Sequence, residues 1–340
     1  MSPYVCNGDT VMDKDWRQQI IPLLPPPLQK AVAALKPPII SRLEEMRLRA
    51  GRPLILETDA GENFLGLKGL VTEPFQAYLV TAEDLHHILL QMTEFSLYAR
   101  DEELKRGYLA LPGGHRAGFT GRVVLERGEV KLLRDFNSIN IRIAREVKGA
   151  ALGLLPHVYC ATKKRVRHTL LVSPPQAGKT TMLRDLARLL SDGDPQSGRP
   201  GFKVAIVDER SEIAGCYQGK PQLDVGMRTD VLDGCPKAEG MMMLVRSMSP
   251  QVVVTDELGR PEDVRAVEEV VNTGASVLTT AHAYDVQELI RRPSLAYLLK
   301  NGLFQRVIML SRRRGPGTIE KIYNGAELSQ WLQTEERNVG

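Results

Sequence analysis

Apolar and polar positions follow different rhythms in the two halves of this 340-residue chain. In the first half the dominant period is two. Within "EMRLRAGRPLIL", Met46 and Leu48 alternate with Arg47 and Arg49, and within "SINIRIARE", Ile139, Ile141 and Ile143 alternate with Asn140, Arg142 and Ala144. A strand so patterned buries one face and leaves the other in water. "FTGRVVLE" and "EVKLL" read as further strands, set off by turn signals at Pro112-Gly113-Gly114 and Arg127-Gly128. Thr81 and Asp84 make a capping-box signature that opens the helix "AEDLHHILLQMT", and a second helix is expected near 100–106. The proline-rich stretch 22–38 leaves room for one short helical piece between its breaks. This half, residues 1–148, reads as an α+β domain.

A stretch of small and apolar residues, "EVKGAALGLLPHVY", leads as a linker into residues 149–340, where the rhythm becomes strand, loop, helix, repeated. "KVAIVDE", "QVVVTDE" and "ASVLTTAHA" are runs of mostly β-branched residues that end in polar groups, the pattern of central parallel strands buried on both faces. Ligands of such sheets sit at the C-terminal ends of the strands. That edge receives Asp208, Glu209 and Arg210 from one run, Asp256 and Glu257 from the next, and His282 from the third. The Met-rich "GMMMLVRSM" reads as the buried face of the helix before Val252, since no Cys or His accompanies it as a metal ligand.

The chemistry concentrates in "LLVSPPQAGKTTMLRDLARLL", a buried strand over 168–172, a loop, and an amphipathic helix over 182–190. Strand, loop and helix N-terminus together make an anion site, with N–H groups and the helix dipole aimed at negative charge. Gly178 lets the backbone approach phosphates, Lys179 reaches the β and γ oxygens, and Thr180 can ligate Mg2+. The usual phosphate loop opens with Gly, whereas here Ser173 holds that position and Pro174-Pro175 could preset part of the turn. The candidate ATP-binding loop is therefore Ser173, Pro174, Pro175, Gln176, Ala177, Gly178, Lys179, Thr180 and Thr181. Asp256 is the candidate second-shell group of a Mg2+ ion and Glu257 the candidate general base. Asp208 and Glu209 read either as a second acidic box near the metal and the attacking water or as a capped strand end. His282 reads either as a reporter of the γ-phosphate or as a structural imidazole. Arg228 and Arg246 are candidates to neutralise phosphate charge, with a surface salt bridge the alternative for each.

Composition narrows the class. Apolar content is 43% and charged content 25%, as in soluble globular proteins, and no apolar run is long enough to span a bilayer. The N-terminal "MSPYVCNGDTVMDKDW" has no hydrophobic signal core, so a cytoplasmic location is expected. Four scattered cysteines without a C-x-x-C pair point to reduced thiols rather than structural zinc or disulfides. The net charge of +4 is spread along the chain, and the basic runs Lys163-Lys164-Arg165 and Arg312-Arg313-Arg314 read as solvated edges. With aromatic content at 5%, a nucleic-acid motor lacks its stacking platform, so nucleic acid is an unlikely partner.

Taken together these residues resemble the secretion ATPase superfamily that powers type II and type IV secretion and pilus assembly. The resemblance runs through "LVRSMSPQVVVTDELGRPEDVRAVEEVVNTGASVLTTAHA", with its order of Arg, strand, acidic residue, helix, Thr-Gly, strand and His. "MRLRAGRPL", "GHRAGFTGR", "VDERSEIAG" and "GMRTDVLDGCPKAEGMMMLVRSMSP" make the chain most similar to the branch of that superfamily acting at stage III of endospore formation. The resemblance implies a RecA-like P-loop ATPase domain, with a mostly parallel central sheet flanked by helices, behind the N-terminal α+β domain. It places Glu257 at the Walker B glutamate, Asp208-Glu209 at the aspartate box and His282 at the histidine box. It also implies ATP and Mg2+ as cofactors and a homo-oligomeric, hexameric ring. Arg116, Arg122, Arg142 and Arg145 are then candidates to reach phosphate from the first half. The implied partners are membrane-bound sporulation channel proteins, met at the cytosolic face of the mother cell. Two other readings share the site: a RecA-like nucleic-acid-dependent ATPase, and a nucleotide-sensing scaffold with little turnover.

Overall fold

The structure, a computed structural model, describes residues 15–96 and 100–339. The chain divides into two compact units, Met1–Arg145 and Glu146–Gly340.

The first unit begins with three short helices, α1 (Trp16–Ile20), α2 (Pro26–Ala33) and α3 (Pro37–Ile40), of which α2 is the one expected within the proline-rich stretch. Pro26 and Pro37 start helices rather than break them. At the first helical position the missing N–H would have had no partner in any case, and the ring presets φ. Leu28, Ala31 and Val32 of α2 are buried. Next come β1 (Leu43–Arg49), β2 (Ile55–Thr58), β3 (Gly61–Gly66), β4 (Gly69–Val71), α4 (Ala82–Met92), α5 (Asp101–Lys105), β5 (Tyr108–Ala110), β6 (Arg116–Glu126) and β7 (Glu129–Arg142). The strands form one antiparallel sheet, β4-β3-β2-β1-β7-β6-β5. In the β1–β7 register, Met46 stands opposite Ile141 and Leu48 opposite Ile139. The two alternating stretches thus place their apolar sides on one face, and all four residues are buried there. Arg127 and Gly128 both take positive φ, 54° and 86°, which is what a two-residue hairpin between right-twisted strands demands. The capping box forms as expected: Thr81 Oγ1 accepts from the Asp84 amide at 3.1 Å and Asp84 Oδ2 accepts from the Thr81 amide at 2.9 Å.

The second unit contains α6 (Leu155–Val158), a ribbon of β8 (Tyr159–Cys160) and β9 (Arg165–Val166), then β10 (Thr169–Ser173), α7 (Lys179–Asp192), β11 (Val204–Asp208), β12 (Thr229–Asp233), α8 (Lys237–Met248), β13 (Val252–Thr255), α9 (Pro261–Asn272), β14 (Ser276–His282), α10 (Val286–Ile290), α11 (Pro293–Lys300), β15 (Arg306–Ser311), β16 (Thr318–Asn324) and α12 (Gly325–Val339). Its sheet runs β12-β11-β13-β14-β10-β15-β16, parallel except for the last pair. Alternate residues of the same strands enter two cores. Leu170, Val172, Ala205, Val207 and Val253 join one, and Leu171, Val204, Ile206, Val252 and Val254 the other. Both sheet faces are covered, which is why these strands read as continuous apolar runs. The stretch read as a linker packs into the second core through Ala151 and Leu154, and the Ala151 amide donates to Asp185 at 2.8 Å. The Met cluster departs from expectation: Met241 is buried, but Met243 and Met248 are 54% and 42% exposed. The helical period of α8 brings only Met241 and Leu244 into the core cluster.

Candidate nucleotide site

β10 is fully buried and sits between β14 and β15, so its C-terminal end opens in the middle of the sheet edge. The chain leaves it at Ser173, where the expected glycine is absent. Ser173 is itself buried; its Oγ donates to the Pro174 carbonyl at 2.7 Å and accepts from Lys179 Nζ at 3.2 Å. The serine takes part in the loop through its hydroxyl. Two residues carry the turn that follows in the left-handed region, Gln176 at φ 58° and Gly178 at φ 85°. Gly178 is the N-cap of α7, and only glycine meets that φ without strain. Pro175 and Gln176 are exposed, Pro174, Thr180 and Thr181 are partly exposed, and Ala177 is buried.

Lys179 is 5% exposed, and its ammonium is folded back on its own loop. Nζ lies 3.3 Å from the Ser173 carbonyl, 3.5 Å from that of Pro174 and 2.8 Å from His282 Nδ1. Burial lowers its pKa from 10.5 to about 8, with Glu257 and Asp256 opposing the drop. The other ring nitrogen of His282, Nε2, is 2.7 Å from Glu257 Oε1. An ammonium has only donors. The Lys179 proton therefore points at Nδ1, the ring proton sits on Nε2, and that proton is donated to Glu257. One hydrogen-bonded chain links phosphate-loop cation, imidazole and carboxylate, from the first residue of α7 through the last residue of β14 to the second residue after β13. Glu257 holds φ 46°, a strained value for a glutamate, and is pinned by its amide, which donates to Thr280 Oγ1 at 2.9 Å. No residue pattern around Glu257 announces that strain.

Asp256 is 3% exposed and makes no side-chain hydrogen bond among the described residues. Burial, reinforced by Asp208, pushes its pKa up to about 7. A buried carboxylate without a partner, beside a loop that offers a threonine hydroxyl, is a donor set that fits a hard divalent cation.

Asp208 has a structural role instead. It is fully buried, and its carboxylate accepts from the amides of Glu212, Ile213 and Ala214 at 2.8–3.0 Å. Glu209 pairs with Lys237. Arg228 caps the C-terminal end of α7, with Nη1 2.9 Å from the Ser191 carbonyl and 3.2 Å from that of Asp192. Arg246 is exposed on α8. In the first unit Arg142 reaches Glu45 at 3.3 Å, Arg145 Nη2 donates to the Leu43 carbonyl at 2.9 Å, Arg116 stacks 3.8 Å over the Tyr108 ring, and Arg122 is exposed.

The site also holds the turn that carries Arg312-Arg313-Arg314, a run that reads in the sequence as a solvated edge and stands here in a hairpin. The turn 312–317 between β15 and β16 packs on the phosphate loop: the Gly317 amide donates to the Ala177 carbonyl at 2.9 Å, and a Cβ on Gly178 would come within 3.1 Å of Gly317 N and Pro316 Cβ. Its signal was available, since "RVIML" is one more apolar run ending in polar residues and a Gly-Pro-Gly turn.

The fold is similar to those of solved motor and ATPase structures. It is similar to the pilus retraction motor PilT with bound ADP, at a TM-score of 0.53 and 13% identity over 87% of this chain and 85% of that one. It is also similar to the ATPase DotB of Legionella pneumophila, at 0.50 and 14% over 78% and 72%. The chain belongs to the family described as sporulation stage III, protein AA, which matches residues 14–328. It is 45% identical over 306 residues to the stage III sporulation protein AA of Bacillus subtilis (strain 168), covering 90% of this chain and 94% of that protein.

Proposed function

We propose that this protein is a Mg2+-dependent ATPase that works as a hexameric ring and drives a trans-envelope channel complex during endospore formation. The observation that carries this reading is the chain from Lys179 through His282 to Glu257, placed at the one sheet edge where a left-handed glycine opens a helix N-terminus. The loop from Ser173 to Thr181 holds the phosphates of ATP. Lys179 exchanges its loop carbonyls for phosphate oxygens, which relieves the cost of its buried charge. Thr180 and Asp256 hold the Mg2+, which supplies charge neutralisation on the phosphates. Glu257 Oε1 takes the proton of the attacking water. His282 gives up its Lys179 partner when that ammonium turns to phosphate, so the imidazole reports occupancy to Glu257. Glu209 and Arg246 act at the rim of the same site, and Arg122, Arg142 and Arg145 are the candidate phosphate-binding cations of the first unit. The protein lies on the cytosolic side in the mother cell, held at the membrane by its channel partners.

The test is Mg-ATP hydrolysis measured against protein concentration, wild type beside Lys179→Ala and Glu257→Gln. Turnover that rises cooperatively with concentration and is lost in both variants is expected, with Glu257→Gln still binding ATP. Tight ATP binding with no turnover at any concentration, with or without membranes carrying the channel proteins, would overturn the motor in favour of a nucleotide-sensing scaffold. The retention of Lys179 by its own loop favours that second reading.

A further inference from the structure

The turn 312–317 carries three consecutive arginines to the phosphate loop, and their surroundings differ. β15 runs parallel to β10, with Thr169 opposite Arg306 and Val172 opposite Met309, so both strands deliver their C-terminal ends to the same edge. The turn is fixed there from two directions. Gly317 bonds Ala177 in the loop, and a Cβ on Gly317 would come within 2.8 Å of Met182 Sδ in the first turns of α7. Arg313 is neutralised: Nε and Nη2 reach Glu320 at 3.0 and 2.9 Å, and Ser311 Oγ fixes the same carboxylate. Arg314 is exposed, with its amide bonded to Thr318 Oγ1. Arg312 is also exposed, and no carboxylate pairs with it among the described residues. Its Nη1 lies 3.5 Å from Oε1 of Gln176, the residue that takes the first left-handed step of the phosphate loop.

We propose that Arg312 is a second phosphate-binding cation of the nucleotide site, contributed by the same chain as Lys179. This rests on the nucleotide reading above. Lys179 is a buried point charge, whereas Arg312 is an exposed, planar, always-charged fork beside the loop, with the neutral Gln176 amide as its partner. A polyphosphate in the loop offers that guanidinium a charged acceptor in place of the Gln176 carbonyl oxygen, and the exchange is favourable because hydrogen bonds between charged partners are the stronger kind. Gln176 is then a positioning residue that keeps the fork aimed while the site is empty. Since the turn is tied to the loop rather than to the water-attack side at Glu257, ADP and ATP should feel Arg312 alike.

The experiment is equilibrium binding of ADP and of ATP, each with Mg2+, to the full chain, for wild type, Arg312→Ala, Arg312→Lys and Arg313→Ala over a range of salt. Arg312→Ala should weaken both nucleotides by roughly ten- to a hundredfold, the loss of one charged hydrogen-bond partner, and flatten the salt dependence. Arg312→Lys should recover part of the affinity, and Arg313→Ala, which disturbs the same turn, should bind as wild type does. If wild type binds nucleotide and Arg312→Ala binds it equally well with the same salt dependence, Arg312 has no part in the site and the nucleotide reading stands. An equal loss in Arg313→Ala and Arg312→Ala would reduce Arg312 to a structural element of the turn, and overturn the proposal. A wild type that binds neither nucleotide removes both readings at once.

Discussion

The buried ammonium of Lys179 makes the phosphate loop costly to fold, and the cost can be measured. Its pKa falls from 10.5 to about 8, and at about 1.4 kcal/mol for each tenfold loss of proton affinity, holding the charge in the folded state costs up to about 3.5 kcal/mol. Replacing Lys179 with Met keeps the aliphatic stem and removes the charge. It also deprives His282 Nδ1 and the Ser173 carbonyl of a donor, at about 1.5 kcal/mol together, because water reaches the partly exposed imidazole and the buried carbonyl keeps the Ala283 amide at 3.2 Å. The net expectation at pH 7, without nucleotide or metal, is that Lys179→Met is more stable than wild type by about 2 kcal/mol. The pH dependence carries the same sign. Below pH 8 both folded and unfolded chains hold the proton, and wild type bears the whole cost. Between 8 and 10.5 the unfolded chain keeps a proton that the folded chain has released, so wild type gains stability as pH rises through that window and meets the variant at its upper end. Urea unfolding at pH 7, 8, 9 and 10 measures both. A variant less stable than wild type at pH 7, together with a wild-type curve flat above pH 8, would refute the reasoning.

Two further outcomes follow from the neighbouring carboxylates. Asp256, raised from 3.8 to about 7, should make wild-type stability fall as pH rises from about 4 to 7, because the folded chain keeps a proton that the unfolded chain has lost; Asp256→Asn should flatten that fall of up to about 4 kcal/mol, and an unchanged slope in urea melts would count against the burial of this acid. Asp208→Ala should destabilise the second unit by about 3 kcal/mol, since three amides, two of them buried, lose their acceptor, and thermal unfolding indistinguishable from wild type would show that water can replace the carboxylate.

The strands of both units were legible wherever burial has a simple period. The alternation at Met46 and Leu48, or at Ile139 and Ile141, could only fit a sheet with one buried face, and "QVVVTDE" could only fit a strand covered on both. Local chemistry was legible too, as at the Thr81–Asp84 cap and the Arg127-Gly128 turn, because the partners lie within four residues of one another. What stayed hidden depends on groups far apart in sequence. Nothing near Asp208 marks its carboxylate as the acceptor of its own loop, nothing near Arg228 names the end of α7, and nothing near Gly317 names Ala177. The proline-rich start misled for a different reason: a proline reads as a breaker, yet Pro26 and Pro37 each occupy the one helical position where the ring costs nothing.

The central place of β10 bears on how the molecule is made. Its two neighbours, β14 and β15, pair with it from more than 100 positions further along the chain. As the polypeptide leaves the ribosome, the strand carrying the phosphate loop stays without a partner on either side until most of the protein has been synthesised. During that interval its apolar edge is a hazard for association with other nascent chains. The turn that closes over the loop arrives later still, after Ser311. Competence to hold a nucleotide thus emerges only at the end of biosynthesis, and a chain interrupted before β15 would carry the phosphate-loop residues on an edge strand, without the turn that packs on them.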